Sequence, residues 1–227
     1  LLDTQDPSRV EVLPDLSCAA WDSRKSRIQE RKELLNKPYP QLIGLTIVSW
    51  KDEGKEVWTA YKESINKLID HFIGKGSQIV IIPQVTKKWE SSPDLIREMV
   101  TDYKNKKNIT FIESEPTVDD LLSIYSNLDF LVATRMHSAI FAAAVNTPLV
   151  AIAYDSGGKW GILSELGYED HIINYAEITP EKLLSTVLSS WENREQLLVN
   201  AEKKIDENII NAGLNVSRIT NLLSQPI

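Results

Sequence analysis

The sequence predicts an α/β protein whose parallel sheet is covered by helices on both faces. Short runs rich in Val, Ile and Leu alternate with segments of helical periodicity, which is the pattern of successive βα units. The runs are apolar throughout rather than alternately apolar and polar, as expected for strands that are buried on both faces. Together these observations favour a Rossmann-like, doubly wound sheet.

The predicted strands follow one another at regular intervals through the middle of the chain. In order they are Leu42–Val48, Gln78–Ile82, Ile109–Ile112, Phe130–Ala133 and Leu149–Ala153. A weaker run, His171–Asn174, is predicted to form an edge strand.

The helices between the strands carry their own start and stop signals. Apolar residues recur every three or four positions from Trp58 to Phe72, and Gly74 with Gly76 is predicted to end that helix. Ser92–Pro93 has the residues of a helix start, a cap followed by proline.

Later in the chain, Thr117 and Asp120 have the spacing of a capping box. After Ile178 the alternation stops, and Thr179–Pro180 is predicted to open a helical pair that runs to about Leu223. We therefore expect three parts. Residues 1–40 are the end of a preceding domain with a connector, 41–178 form a Rossmann-like domain, and 179–227 are helices packing on that domain or back toward a first domain.

Composition restricts the classes of partner. The chain has 227 residues, and 25 Lys and Arg against 32 Asp and Glu give a net charge of −7. This acidity argues against binding to nucleic acid, which draws on a basic surface. Cys18 is the sole cysteine beside three histidines, and no zinc-binding spacing occurs, so we expect neither a metal nor a cofactor. We expect a cytoplasmic protein without a membrane span, with work at the inner face of the membrane and homo-oligomerisation left open.

The segment after the fourth strand carries the strongest chemical signal. Thr134 ends the strand as the predicted helix cap, and Arg135, His137 and Ser138 follow in the first turn of a small-residue helix. Ligands of open parallel sheets lie beyond the carboxyl ends of the strands, and a helix N-terminus there attracts anions. Arginine adds a two-pronged donor for phosphate or carboxylate. The turn therefore predicts an anion site.

His137 is unfavourable for local helix stability, because a cation in the first helical turn opposes the helix dipole. A histidine that only bonds a loop is the plain alternative. Its place beside Arg135 favours a functional role, with burial and the dipole expected to keep the imidazole neutral and ready for acid or base work.

Further residues should line the same rim. Tyr154 and Lys159 follow the fifth strand in a Gly-rich loop, Ser49 follows the first, and Gln84 follows the second. Taken one at a time, these signals are weak, and a structural role for each is the simpler interpretation.

The run DFLVATRMHSAIFAAAVNTPLVAIAYD, followed by a lysine and LSELG, resembles the carboxyl-terminal half of the polysaccharide pyruvyltransferase family. The resemblance implies a fold similar to the second domain of GT-B transferases. It also implies transfer of pyruvate from phosphoenolpyruvate, the donor substrate, to a sugar or lipid-linked saccharide as a ketal. By the same resemblance Arg135 binds the donor and His137 is the acid and base, while the chain alone is expected to be inactive because a first domain supplies part of the site.

Two other functions stay open at this point. A nucleotide-sugar glycosyltransferase of similar fold would need a ribose-binding Glu near a Gly-rich turn, and Glu165 is poorly placed for it. A non-catalytic module that binds anions or sugars would keep the turn without turnover. The preferred donor would distinguish a glycosyltransferase from a pyruvyltransferase. Turnover would distinguish either enzyme from a non-catalytic module.

Overall fold

The computed structural model describes residues 41–48, 54–83, 96, 99, 100, 103, 107–112, 116–154 and 160–223. Within these residues the strands are β1 Leu42–Thr46, β2 Gln78–Ile81, β3 Ile109–Phe111, β4 Phe130–Ala133, β5 Leu149–Ala153 and β6 Ile172–Asn174. The helices are α1 Lys55–Gly74, α2 Val118–Ser126, α3 Met136–Ala144, α4 Gly161–Glu165, α5 Pro180–Glu192 and α6 Arg194–Leu223. Residues 1–40 and the Ser92–Pro93 helix start lie outside the described residues.

The strands form one parallel sheet in the order β3-β2-β1-β4-β5-β6. The predicted Rossmann-like fold is confirmed, and β6 lies at the sheet edge as expected. Strand order reverses between β1 and β4, so the chain leaves these two neighbours toward opposite sides of the sheet. Such a switch point opens a crevice outside the carboxyl ends of the two strands. β1 is shorter than predicted and ends at Thr46.

The core lies on both faces of the sheet, because successive side chains of a strand point to opposite sides. In β4, Phe130 and Val132 pack with α1 and α5, whereas Leu131 and Ala133 pack with α3 and α6. Gly44 in β1 is required by close packing, since a Cβ there would lie 2.3 Å from Leu128 Cδ1. Burial on both faces explains why the strands are uniformly apolar.

The predicted ends of α1 and α2 are confirmed. α1 ends at Gly74, Gly76 follows in the left-handed region with φ 82°, and the Ser77 N–H donates to the Phe72 carbonyl over 3.0 Å. Thr117 and Asp120 form the capping box of α2. Both devices satisfy helix-end groups that would otherwise lack partners.

The two carboxyl-terminal helices pack on the sheet domain. The Thr179 hydroxyl caps α5 by accepting from the Lys182 N–H over 3.1 Å, with Pro180 in the first turn. Buried side chains of α6, Leu197 and Ala201 among them, join the core beside α3. No helix in the described ranges combines the length and the apolar character that crossing a membrane requires.

Candidate functional site

The candidate site lies at the switch point. Thr46, the last residue of β1, pairs with Ala133, the last residue of β4. Thr134 and Arg135 therefore leave the sheet directly beside the end of β1. Ala133 also pairs with Ala151 of β5, whose chain continues to Tyr154 on the other side of the turn.

Thr134 joins the strand ends instead of capping the helix. Its N–H donates to the Thr46 hydroxyl over 3.0 Å, and its own hydroxyl donates to the Thr46 carbonyl. Thr134 is completely buried. The prediction that it caps α3 is wrong, because these bonds hold Thr134 against the end of β1 and the cap position falls on Arg135.

The start of α3 has the features of a helix N-terminus that attracts anions. Arg135 is extended, with φ −126° and ψ 130°, and it makes no side-chain cap hydrogen bond. The first turn holds no acidic residue that could offset the positive end of the helix dipole. The backbone N–H groups of the first turn, Met136 to Ser138, are those that an anion at a helix N-terminus accepts from.

The side chains of this turn differ in burial. Arg135 is partly buried and His137 is exposed, with its ring 6.3 Å from that of Phe141. The expectation that His137 is buried is wrong, since the second residue of α3 points away from the sheet. Ser138 is completely buried, and its hydroxyl has no hydrogen-bond partner among the described residues. A buried hydroxyl of this kind is the unusual feature of the turn, because buried polar groups normally have partners.

Tyr154 lies at the same edge of the sheet, one residue beyond β5. Its side chain is 37% exposed, and its ring stands perpendicular to that of Trp160 at a centroid distance of 6.0 Å. The other predicted rim residues, Ser49, Gln84 and Lys159, lie outside the described residues.

Tyr61 was not predicted as part of the site, yet it lies directly beneath it. The hydroxyl of this α1 residue accepts from the Val48 N–H over 3.4 Å and hydrogen-bonds the Thr134 side chain. Burial raises the pKa of the Tyr61 hydroxyl well above its ordinary value. In the sequence pattern, Tyr61 is only one of the apolar positions of α1. The available signal was that a buried tyrosine hydroxyl needs partners.

Metal-binding clusters are not found in the part of the chain that the structure describes, where no three His, Cys, Asp or Glu side chains converge. The candidate site is instead built from an arginine, a helix N-terminus and hydroxyl groups. These are the donors that proteins use for phosphate and carboxylate.

The Rossmann-like sheet of this chain has the fold of a GT-B domain, which solved structures share. The crystal structure of MurG from Acinetobacter baumannii aligns with a TM-score of 0.57 and 17% identity, covering 96% of this chain and 58% of MurG. The C-terminal domain of the glycosyl transferase group 1 family protein LpcC from Francisella tularensis aligns with a TM-score of 0.51 and 17% identity, covering 86% of this chain and 94% of that domain. At such identities the likeness concerns the fold.

The chain belongs to the polysaccharide pyruvyl transferase family, whose model matches residues 2–156. A relative is the amylovoran biosynthesis protein AmsJ of Erwinia amylovora, which is 21% identical over 150 residues. The match covers 65% of this chain and 36% of AmsJ. The matched family region ends just after Tyr154 and includes the whole turn from Thr134 to Ser138.

Proposed function

We propose that this chain binds phosphoenolpyruvate at the Arg135–Ser138 turn and takes part in pyruvyl transfer to a sugar of a cell-surface polysaccharide or its precursor. The observation that carries the proposal is the position of this turn. It combines an arginine, a helix N-terminus without a side-chain cap and a buried hydroxyl that has no partner within the described part of the chain, all at the switch point of the sheet. Family membership supports the reaction class.

We propose hydrogen-bond donors at this turn for both the phosphate and the carboxylate of phosphoenolpyruvate. A phosphate at the first turn of α3 would accept from backbone N–H groups and from the Ser138 hydroxyl. The guanidinium of Arg135 would pair with phosphate or carboxylate through two parallel hydrogen bonds. No carboxylate of the first turn competes with the ligand, since that turn has no acidic residue.

The proposed reaction forms one C–H bond and two C–O bonds and breaks the C–O bond to phosphate. An acid protonates the methylene carbon of the donor, the C=C electron pair forms the new C–H bond, and a cation develops at the carbon that bears the phosphate. One acceptor hydroxyl adds there and loses its proton. The C–O bond to phosphate then breaks, and a second hydroxyl closes the ketal while its proton is taken up by a base.

His137 is proposed as the acid and base of these steps. Its exposed side chain stands in the first turn of α3, where an acceptor sugar and the donor methylene can both approach. A positioned histidine typically accelerates proton transfer about 10² to 10⁴ fold. Tyr154 at the same edge of the sheet offers an aromatic face against which a sugar ring can lie.

The setting proposed for this reaction is the cytoplasm or the inner face of the membrane, where lipid-linked saccharides are built. The relationship to a protein of amylovoran biosynthesis supports a role in polysaccharide modification. Because the match covers only 36% of AmsJ, further residues of the acceptor site are proposed to come from outside this chain.

Isothermal titration of the natural full-length gene product with phosphoenolpyruvate tests the proposal, with a uridine-diphosphate sugar titrated in parallel. Saturable binding of phosphoenolpyruvate that Arg135→Ala removes is the expected result. Arg194→Ala serves as the control, because Arg194 instead stacks on Trp191 at 4.7 Å, at the junction of α5 and α6. Binding of the nucleotide sugar alone would indicate a glycosyltransferase instead. Binding of phosphoenolpyruvate without turnover would indicate a non-catalytic module.

A further inference from the structure

We propose that Tyr61 is a positioning residue, whose buried hydroxyl holds the ends of β1 and β4 together and so sets the geometry of the turn that carries Arg135. The link between that turn and anion binding rests on the proposed function. The link between Tyr61 and the turn rests on the contacts alone.

The Tyr61 hydroxyl contacts groups at both strand ends. The Thr134 hydroxyl donates its proton to the Thr46 carbonyl, and the Thr134 side chain also hydrogen-bonds Tyr61. Tyr61 in turn accepts from the Val48 N–H over 3.4 Å. One hydroxyl of α1 thus bridges the backbone that leaves β1 and the side chain that ends β4.

The ring of Tyr61 is held by its neighbours. It packs edge-on against Tyr175 at a centroid distance of 5.3 Å and tilted against Trp58 at 5.9 Å. Its side chain is completely buried. Burial against these two rings restricts the movement of the hydroxyl, as a positioning role requires.

Charge does not explain the presence of Tyr61. Burial raises the pKa of its hydroxyl, and the nearby charge of Arg135 opposes that rise only weakly compared with burial. The group is therefore uncharged near neutral pH. It contributes geometry next to Arg135, and it does not neutralise the guanidinium.

The test compares Tyr61→Phe with Tyr103→Phe in the natural full-length gene product. Each variant removes one buried tyrosine hydroxyl from the same core cluster, but the Tyr103 hydroxyl donates to the Asn66 carbonyl in the middle of α1, over 3.1 Å. Two quantities are measured well below the unfolding temperature. They are amide hydrogen exchange of residues 134–138 and the affinity for phosphoenolpyruvate.

We expect exchange at residues 134–138 to accelerate at least several-fold in Tyr61→Phe and to match the unmodified protein in Tyr103→Phe. We also expect affinity for phosphoenolpyruvate to fall about 3- to 10-fold in Tyr61→Phe alone. Should Tyr61→Phe not fold, Thr134→Val removes the Tyr61 contact together with the bond to the Thr46 carbonyl, and it should accelerate exchange at the same residues.

Unchanged exchange in Tyr61→Phe, or equal changes in both tyrosine variants, would overturn the proposal. Local acceleration of exchange with unchanged affinity would overturn its link to ligand binding. If the unmodified protein does not bind phosphoenolpyruvate, the proposed function fails, while local acceleration of exchange would still support the positioning role.

Discussion

Thr134 and Thr46, 88 positions apart in the chain, join the carboxyl ends of β4 and β1 through two hydrogen bonds. Both residues are buried, and each contributes a backbone group and a hydroxyl to the pair. Since Arg135 follows Thr134 directly, the position of the Arg135–Ser138 turn depends on this junction.

Thr46→Val should destabilise the protein, because the Thr134 N–H then loses its acceptor inside the core. Leaving one buried donor unpaired costs about 1–3 kcal/mol. Denaturant unfolding at neutral pH measures the loss. Thr46→Ser keeps the hydroxyl and should cost only the lost methyl group, about 0.8 kcal/mol. Equal stability of Thr46→Val and the unmodified protein would contradict the structural role of the pair.

Ser138→Ala should separate ligand binding from stability. The Ser138 hydroxyl is buried without a partner among the described residues, so its removal should leave the unfolding temperature unchanged or raise it. Affinity for phosphoenolpyruvate should fall roughly 3- to 10-fold if that hydroxyl donates to the ligand. Calorimetry measures both quantities.

Ser126→Ala is the matched control for this prediction. Ser126 is also a buried serine, but its hydroxyl donates to the Ser123 carbonyl over 2.8 Å within α2. This variant should leave affinity for the donor unchanged. A loss of affinity in both variants would indicate a general effect on the fold and not a ligand contact.

His137→Ala should affect turnover, whereas Arg135→Ala should affect binding of the donor. Loss of the exposed imidazole should lower kcat about 10² to 10⁴ fold and leave the Kd of phosphoenolpyruvate within a few fold. Loss of the guanidinium should raise that Kd about 10- to 150-fold, the effect of a charge-assisted hydrogen bond. Turnover of the full-length protein and titration of the donor measure the two effects. The reverse pattern would refute the assigned roles.

His171 should make the protein less stable in mild acid. Burial lowers the pKa of its imidazole, against the smaller opposing effects of Asp170 and Glu169. Its Nδ1 is 2.7 Å from the Ser190 hydroxyl, whose proton goes to the Thr186 carbonyl, so Nδ1 carries the hydrogen. Below the unfolded pKa of about 6.5 the unfolded chain gains a proton that the folded protein resists.

Stability from His171 is therefore complete above about pH 6.5 and is lost as pH falls from there through the lowered folded pKa. Denaturant unfolding of the unmodified protein and His171→Gln at pH 8 and pH 5.5 measures this effect. We expect the difference in free energy of unfolding between the two proteins to shift in favour of His171→Gln at the lower pH. An identical pH dependence would contradict the prediction.

The sequence by itself determined the local structure of this protein. Apolar runs buried on both faces and turns such as Thr117 to Asp120 depend on residues close together in the chain, so their periodicity and spacing predict strands and helix starts. The Arg135 turn was found for the same reason, because a strand end, an arginine and a helix start are neighbours in sequence.

Tertiary structure alone decided which groups meet at the site. The hydrogen bonds of Thr134 to Thr46 join the ends of two strands, which come together only when the sheet forms. Because Thr134 is held there, the helix cap falls on Arg135. The same holds for Tyr61, an apolar position of α1 in the sequence pattern that the fold brings beneath the switch point. Hydrogen bonds act over about 3 Å in space whatever the separation along the chain, so neither periodicity nor spacing records them.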